Sequence, residues 1–512
     1  MLTKSWSAAL EGIDAYSVEI EINATQAGME DLVKIVGLPD MAVRESKSRI
    51  KSAIYSCGLS FPSGITIVNL APADVKKEGA SFDLPIALGM IASTGGIDKN
   101  ILGRAVTVGE LALDGRVRPL KGILPIALHA KEHGASALLV PQENAEEAAV
   151  VNNLKVFGIE HLKQAVDFLN GNFQLTPHKT TLDLNAALKD TYDADFADVK
   201  GQTVAKRALM IAAAGGHNVI MVGPPGAGKS MLAKRMPSIL PPMNFEEALE
   251  ISKIHSIGGI IAEDNTPIVT RRPFRDPHHS ISDVGLIGGG SNPRPGEISF
   301  SHNGVLFLDE LPEFKRGVLE TLRQPLENGK ITVSRAAGSY TFPADFMLLA
   351  AMNPCPCGYY GSLQQECRCT ATKINNYRSR ISGPLLDRID IHVELAALSE
   401  KELLGKRVGE TSKQKRITIM KARKIQNERF QNRPIHCNSQ MSSTDVEEFC
   451  GLRKKELTVI RNAISELFLS ARAYDRILRV ARTIADLAGE TNIQEKHLNE
   501  AIQFRSLDRK LL

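Results

Sequence analysis

Val219-Ile-Met-Val222 runs directly into Gly223-Pro-Pro-Gly-Ala-Gly-Lys-Ser230. The four apolar residues read as a buried strand, and the eight that follow fit G-x-x-x-x-G-K-[ST] at every fixed position. A helical stretch comes next. Strand, loop, helix is the order a phosphate loop needs. Gly223, Pro224, Pro225, Gly226, Ala227 and Gly228 let the backbone wrap so that its N–H groups point at phosphate oxygens. They do so at a helix N-terminus that already favours anions. Lys229 is expected to neutralise the β- and γ-phosphates, and Ser230 to hold Mg2+ through its hydroxyl. ATP and Mg2+ are therefore the expected cofactors.

Two further apolar runs belong with this strand. Val305-Leu-Phe-Leu308 ends in Asp309-Glu310, and Met347-Leu-Leu-Ala-Ala351 leads to Asn353. Runs without polar alternation suit a parallel sheet covered on both faces. Ligands in such sheets bind at the carboxyl ends of the strands. Asp309 is expected on Mg2+, and Glu310 is expected to orient the attacking water. Asn353 offers an uncharged amide to that water or to the γ-phosphate.

The rest of the chain divides around this block. Its 512 residues suggest about three domains. Residues 1–170 read as an α/β domain, with a strand at Tyr16–Ile22, a helix at 40–56, a strand at 65–70, a helix at 82–93 and a strand at 138–140. Residues 171–190, rich in Gly, Asn, Thr and Pro, read as a linker. Residues 191–395 form the nucleotide-binding core. Residues 396–512 read as helices, with strong helical spacing at Ile477–Leu487.

With 43% hydrophobic and 23% charged residues, the composition excludes disorder, and no apolar run is long enough to span a bilayer. No secretory signal is readable in residues 1–20. Seven cysteines form no disulfide scaffold. A reducing cytosol is the expected compartment. Four of the seven crowd together as Cys355-Pro-Cys357 and Cys367-Arg-Cys369. Four thiolates are a ligand set for one structural Zn2+, although the C-x-C spacing is tighter than the usual knuckle. Reduced cysteines in a loop and a redox switch are the other readings.

Charge is uneven. Residues 401–440 carry 11 Lys/Arg against 3 Glu, in a chain of net +4. A basic stretch of this kind suits phosphate contacts, and equally a solvated helical face. Residues 328–342 read as a hairpin with a small-residue turn, bearing Lys330 and Arg335. His278 and His279 mark either a second insert or surface positions.

These residues together resemble the ComM/YifB family of magnesium-chelatase-like AAA+ ATPases. The resemblance rests on the two nucleotide motifs, on Asp198-Val-Lys-Gly-Gln202, on Phe274-Arg-Asp-Pro-His-His-Ser280 and on Gly296-Glu-Ile-Ser299. It covers nearly the whole chain. It implies that Asn353 is sensor 1, Arg388 the arginine finger and Arg472 sensor 2. It also implies a hexameric ring that acts as a DNA helicase in branch migration during natural transformation. In helicase relatives a hairpin before sensor 1 projects into the pore, where Lys330 and Arg335 would meet DNA phosphates. The first domain resembles the Lon-protease/S5 fold, with Ser81 of Glu78-Gly-Ala-Ser81 at the nucleophile position. The general-base position falls on Leu124, which takes no proton. Lys121 stands nearby as a shifted partner. A scaffold without peptidase chemistry is therefore expected. A chelatase motor that remodels a metal-inserting partner is the competing function. The first domain is expected to separate the two, as absent from the chelatase motor.

Overall fold

The apolar runs at Val219–Val222, Val305–Leu308 and Met347–Met352 lie side by side in one five-stranded parallel sheet. Its order is Phe274–Arg275, Val305–Leu308, Met347–Met352, Val219–Val222, Ile391–Glu394. Val219, Ile220, Met221 and all of Val305–Leu308 are fully buried, as suits a parallel sheet in an α/β fold. Register pairs Val222 with Met352 and Leu308 with Ala350. The residues that follow, Gly223, Asp309 and Asn353, therefore emerge together at the carboxyl edge.

The computed structural model describes residues 2–25, 32–180, 192, 194–261, 267–290, 293–335, 338–362, 365–399, 402, 409–467 and 469–505. The second half of the expected linker, 181–190, lies outside them, as do Lys401, Lys406 and Arg407 of the basic stretch. Two compact units make up the chain. One holds residues 1–184 together with 248–269. The other holds 185–247 and 270–512, so the sheet and the C-terminal helices belong to one body.

The first unit is built on a seven-stranded mixed sheet, in the order Leu32–Val36, Ile65–Ala71, Asp14–Thr25, Leu2–Glu11, Ala105–Thr107, Ala137–Pro141, Val156–Ile159. The helices Met41–Ser56, Asp83–Ser93 and Ile123–Glu132 pack on it. The Lys121 ammonium donates to Gly258 O at 3.3 Å. Leu124 is fully buried, and its N–H donates to Glu147 Oε1 at 3.1 Å. The Ser256 hydroxyl shares that carboxylate oxygen, and the Gly122 N–H donates to Ser256 O at 3.0 Å. The region expected to carry the base thus anchors the 248–269 segment.

In the second unit the helices Ser412–Arg429 and Ala471–Ala488 pack on Thr203–Gly215. Polar ties fix them. Gln426 donates to Ala214 O at 3.0 Å, Arg423 donates to Ala213 O at 3.1 Å, and His217 meets the Thr483 hydroxyl at 2.8 Å. Asp390 is the electrostatic centre of this joint. It accepts from the Asn218 N–H at 3.0 Å and from Arg476, with His217 Nδ1 at 3.6 Å. Burial raises its pKa, but Arg476, His217 and the Asn218 N–H together bring it well below the ordinary carboxylate value. A carboxylate depressed on folding contributes stability above its unfolded pKa of about 4 and loses it as pH falls below that. Arg476→Ala leaves the charge buried without its guanidinium partner. We expect it to cost about 3–5 kcal/mol and to move the acid-unfolding midpoint upward, read by circular dichroism against pH. An unchanged midpoint would remove Asp390 from this role.

Candidate nucleotide site

The phosphate loop takes its shape from two left-handed glycines. Gly226 and Gly228 have φ of +77° and +88°, and open space lies where each Cβ would sit. Gly223 meets a different constraint, since a Cβ there would lie 2.6 Å from Leu395 O. From the far side Gln202 braces the loop, donating to Ala227 O at 3.1 Å and Ala396 O at 2.7 Å.

Lys229 opens the following helix, and only 8% of it is exposed. Its ammonium donates to Gly223 O at 2.6 Å, Pro224 O at 3.0 Å and Asn353 Oδ1 at 3.0 Å. Burial lowers its pKa, against the opposing pull of Asp309 and Glu310. The Ser230 hydroxyl donates to Asp309 Oδ2 at 2.5 Å. A hydroxyl and a carboxylate converging at a phosphate loop are hard oxygen donors of the kind Mg2+ takes. Asp309 in turn accepts the Glu310 N–H at 2.9 Å. Glu310 has φ of +53°, a left-handed conformation that only its surroundings sustain. Half its side chain is exposed at the carboxyl edge of the sheet.

Sequence reading left His279 at the surface or in an insert. The structure brings its Nδ1 to 3.6 Å from Glu310 Oε2. The strand Phe274–Arg275 pairs with Val305–Leu306, so the residues beyond both strand ends share one level. Asp276 sits there too. Burial raises its pKa, Lys234 lowers it and Asp309 raises it further. No spacing signal marks these residues, because the pairing of a two-residue strand placed them.

Arg388 and Arg472 are not at this edge. The Arg388 carbonyl accepts from Asn218 at 3.3 Å, before the first residue of the Val219–Val222 strand and so at the opposite end of the sheet. Its guanidinium is buried, paired with Glu327 and donating to Pro384 O at 2.6 Å. Arg472 is exposed one helical turn before Arg476, which donates to the same Arg388 carbonyl at 3.0 Å.

The four cysteines converge. Their Sγ atoms all lie within 4.8 Å of one another, with Cys355–Cys357 at 3.3 Å, Cys357–Cys367 at 3.6 Å and Cys355–Cys367 at 3.7 Å. Tetrahedral Zn–S bonds of about 2.3 Å separate sulfurs by about 3.8 Å, so these thiols fit that ion. Backbone N–H donation, from Tyr359 above all, lowers Cys357 to about 6. Cys437 and Cys450 are buried elsewhere, and Cys57 is half-buried.

The expected hairpin forms, Lys330–Arg335 against Gly338–Pro343. Lys330 pairs with Pro343 at its base, whereas Arg335 pairs with Gly338 beside the turn. Five residues of strand separate the two by about 17 Å. Only the backbone of Arg335 is described; its side chain lies outside the described residues.

A phosphate loop, a strand-end Asp-Glu pair and a strand-end Asn on one parallel sheet define a P-loop ATPase of the AAA+ class. Residues 195–403 match the family described as magnesium chelatase, subunit ChlI, and residues 409–505 match its C-terminal family. Residues 18–144 match a family described as subunit ChlI of Mg-chelatase. The chain is 43% identical to the competence protein ComM of Haemophilus influenzae over 512 residues, covering 99% of this chain and 98% of that one. It is 41% identical to the uncharacterized protein YifB of Escherichia coli over 503 residues, 98% and 96% of the two chains. A magnesium-chelatase 67 kDa subunit of Chlorobaculum parvum is 29% identical over 165 residues, 31% of this chain and 23% of that one. The chain belongs to the ComM/YifB family of magnesium-chelatase-like AAA+ proteins. One expectation needs correction. The N-terminal segment also matches a family named for a chelatase subunit, so its presence does not separate motor from chelatase.

Proposed function

We propose that the chain is an ATP-hydrolysing ring motor that moves DNA strands during homologous recombination of incoming DNA. The observation that carries the ATPase reading is the constellation Lys229–Asn353 and Ser230–Asp309, with Glu310 beside it. Lys229 takes the β- and γ-phosphates, Asn353 orients the γ-phosphate or the water, and Glu310 positions the water for in-line attack. Bound at Ser230 and Asp309, Mg2+ supplies charge neutralisation on the phosphate oxygens. The DNA reading rests on the full-length likeness to a protein named for competence. The chelatase alternative is supported by three chelatase-named families over residues 18–144, 195–403 and 409–505, while the likeness to a chelatase 67 kDa subunit itself spans 165 residues.

In this reading residues 1–170 are a Lon/S5-like scaffold, 191–395 the core and 396–512 a helical lid, assembled as a cytoplasmic hexamer. Among the described residues no helix is long and apolar enough to cross a membrane. The deciding assay is branch migration by the purified chain with ATP. Failure to bind any DNA at low salt would refute the DNA reading and put the chelatase-type motor first.

A motor grips phosphates rather than bases. The hairpin is the proposed grip, with Arg335 nearest its turn and Lys330 at its base, helped by the basic helix from Lys413 onward. We expect Arg335→Ala to weaken binding equally across DNA sequences and to flatten the salt dependence by about one unit of slope. ATP turnover without DNA should persist. DNA affinity and strand movement both left intact in Lys330→Ala plus Arg335→Ala would sink the hairpin assignment.

The Cys355, Cys357, Cys367 and Cys369 cluster is proposed to hold one structural Zn2+. Metal analysis of the purified chain should find about one zinc per chain. A folded, active, zinc-free preparation would remove it.

A further inference from the structure

The four-cysteine cluster does not stand apart from the nucleotide site. Asn353, whose Oδ1 accepts from Lys229 at 3.0 Å, is two residues from Cys355. Gly358, one residue after Cys357, presses on the phosphate loop itself. A Cβ at Gly358 would lie 2.5 Å from Pro225 Cδ and 2.7 Å from Pro225 Cγ. Its φ of +87° is the left-handed conformation that glycine tolerates, so the chain can turn there without a side chain in the way.

The segment between these contacts is held from outside as well. The Arg378 guanidinium donates to Pro354 O at 3.2 and 3.1 Å and lies 5.3 Å over the Tyr360 ring. The Tyr360 N–H donates to Cys355 Sγ at 3.3 Å. Residues 353–360 thus form a short strap. One end carries the Asn353 amide to Lys229, its middle abuts Pro225, and two of the four thiols sit between.

We propose that this strap makes the cysteine cluster a metal-dependent brace of the phosphate loop, so that metal and nucleotide bind with positive coupling. The proposal rests on the reading that the cluster holds Zn2+. Cys355 and Cys357 belong to the strap, while Cys367 and Cys369 come from the chain ten residues on. Metal ligation ties the strap to that second segment. Without it, only thiol–thiol contacts of 3.6 and 3.7 Å join the strap to the second pair, in place of metal–sulfur bonds. Gly358 then no longer backs Pro225, and Asn353 is freer to leave Lys229. In the other direction, a nucleotide that orders the loop orders the strap and holds the two thiol pairs together. Coupling of binding equilibria is reciprocal by necessity, and its usual size is about 5- to 150-fold.

The experiment uses the purified full-length chain. Zinc content is measured first, and then the free-zinc midpoint in chelator-buffered titrations with and without saturating ADP or ATPγS. We expect nucleotide to lower the midpoint by at least about fivefold, and metal-free protein to bind a fluorescent ADP analogue more weakly by the same factor. In Lys229→Ala, which lacks the phosphate partner, nucleotide should leave the zinc midpoint unmoved. Gly358→Ala should weaken nucleotide binding with zinc content retained. Absence of metal sinks the zinc reading. Bound zinc whose midpoint ignores nucleotide in the wild type overturns the brace and leaves the zinc site standing. Unchanged nucleotide affinity in a folded Gly358→Ala overturns the route through Pro225.

Discussion

In Glu310→Gln, ATP stays bound and its turnover falls by about 10²- to 10⁴-fold, the range for losing a positioned proton-accepting group. The amide keeps the size of the side chain but no longer attracts a proton from the attacking water. Asp309, Ser230 and Lys229 are untouched, so the phosphates keep their partners. Nucleotide affinity by filter binding and turnover by phosphate release separate the two effects. Unchanged turnover would sink the assignment of Glu310. Lys229→Ala should act earlier and abolish binding, because the loop then has no lysine ammonium to meet the phosphates.

Arg388→Ala should reduce turnover by about 10³- to 10⁵-fold in assembled protein, the usual worth of an arginine finger. Arg388 cannot serve its own chain's phosphate loop from the opposite end of the sheet. A finger role therefore means a neighbour's ATP, and it requires Arg388 to leave Glu327. Mixing Arg388→Ala with Lys229→Ala subunits should then recover activity that neither parent has, since one interface can combine an intact loop with an intact finger. If mixed rings form and none exceeds its parents, the trans role is wrong. Glu327→Gln is a useful companion. Freed from its partner, Arg388 should swing out more readily, so turnover holds or rises while Arg388→Ala loses it.

Some strands were hidden from the sequence for a plain reason. Leu2–Glu11 carries small polar residues on its inner face: Thr3, Ser5 and Ser7 are each 1% exposed. Their neighbours give no apolar alternation to read. By contrast, Val18, Ile20 and Ile22 show the period of the next strand openly, and all three are fully buried. The helix expected at 40–56 forms as Met41–Ser56, with Asp40 as its cap, because the signals for both lie within a few residues of each other.

What the sequence determined by itself is whatever a short contiguous stretch encodes. The phosphate loop is eight residues whose glycines and lysine carry their own backbone geometry and charge. Asp309-Glu310 and Asn353 followed because an apolar run predicts its own carboxyl end. Tertiary structure decided which side chains face one another across long stretches of chain. It set His279 beside Glu310, Arg388 against Glu327 at the far edge, and Gly358 against Pro225. Those contacts depend on strand order and register in the sheet. Register is fixed by packing of the whole core, and no local pattern of residues records it.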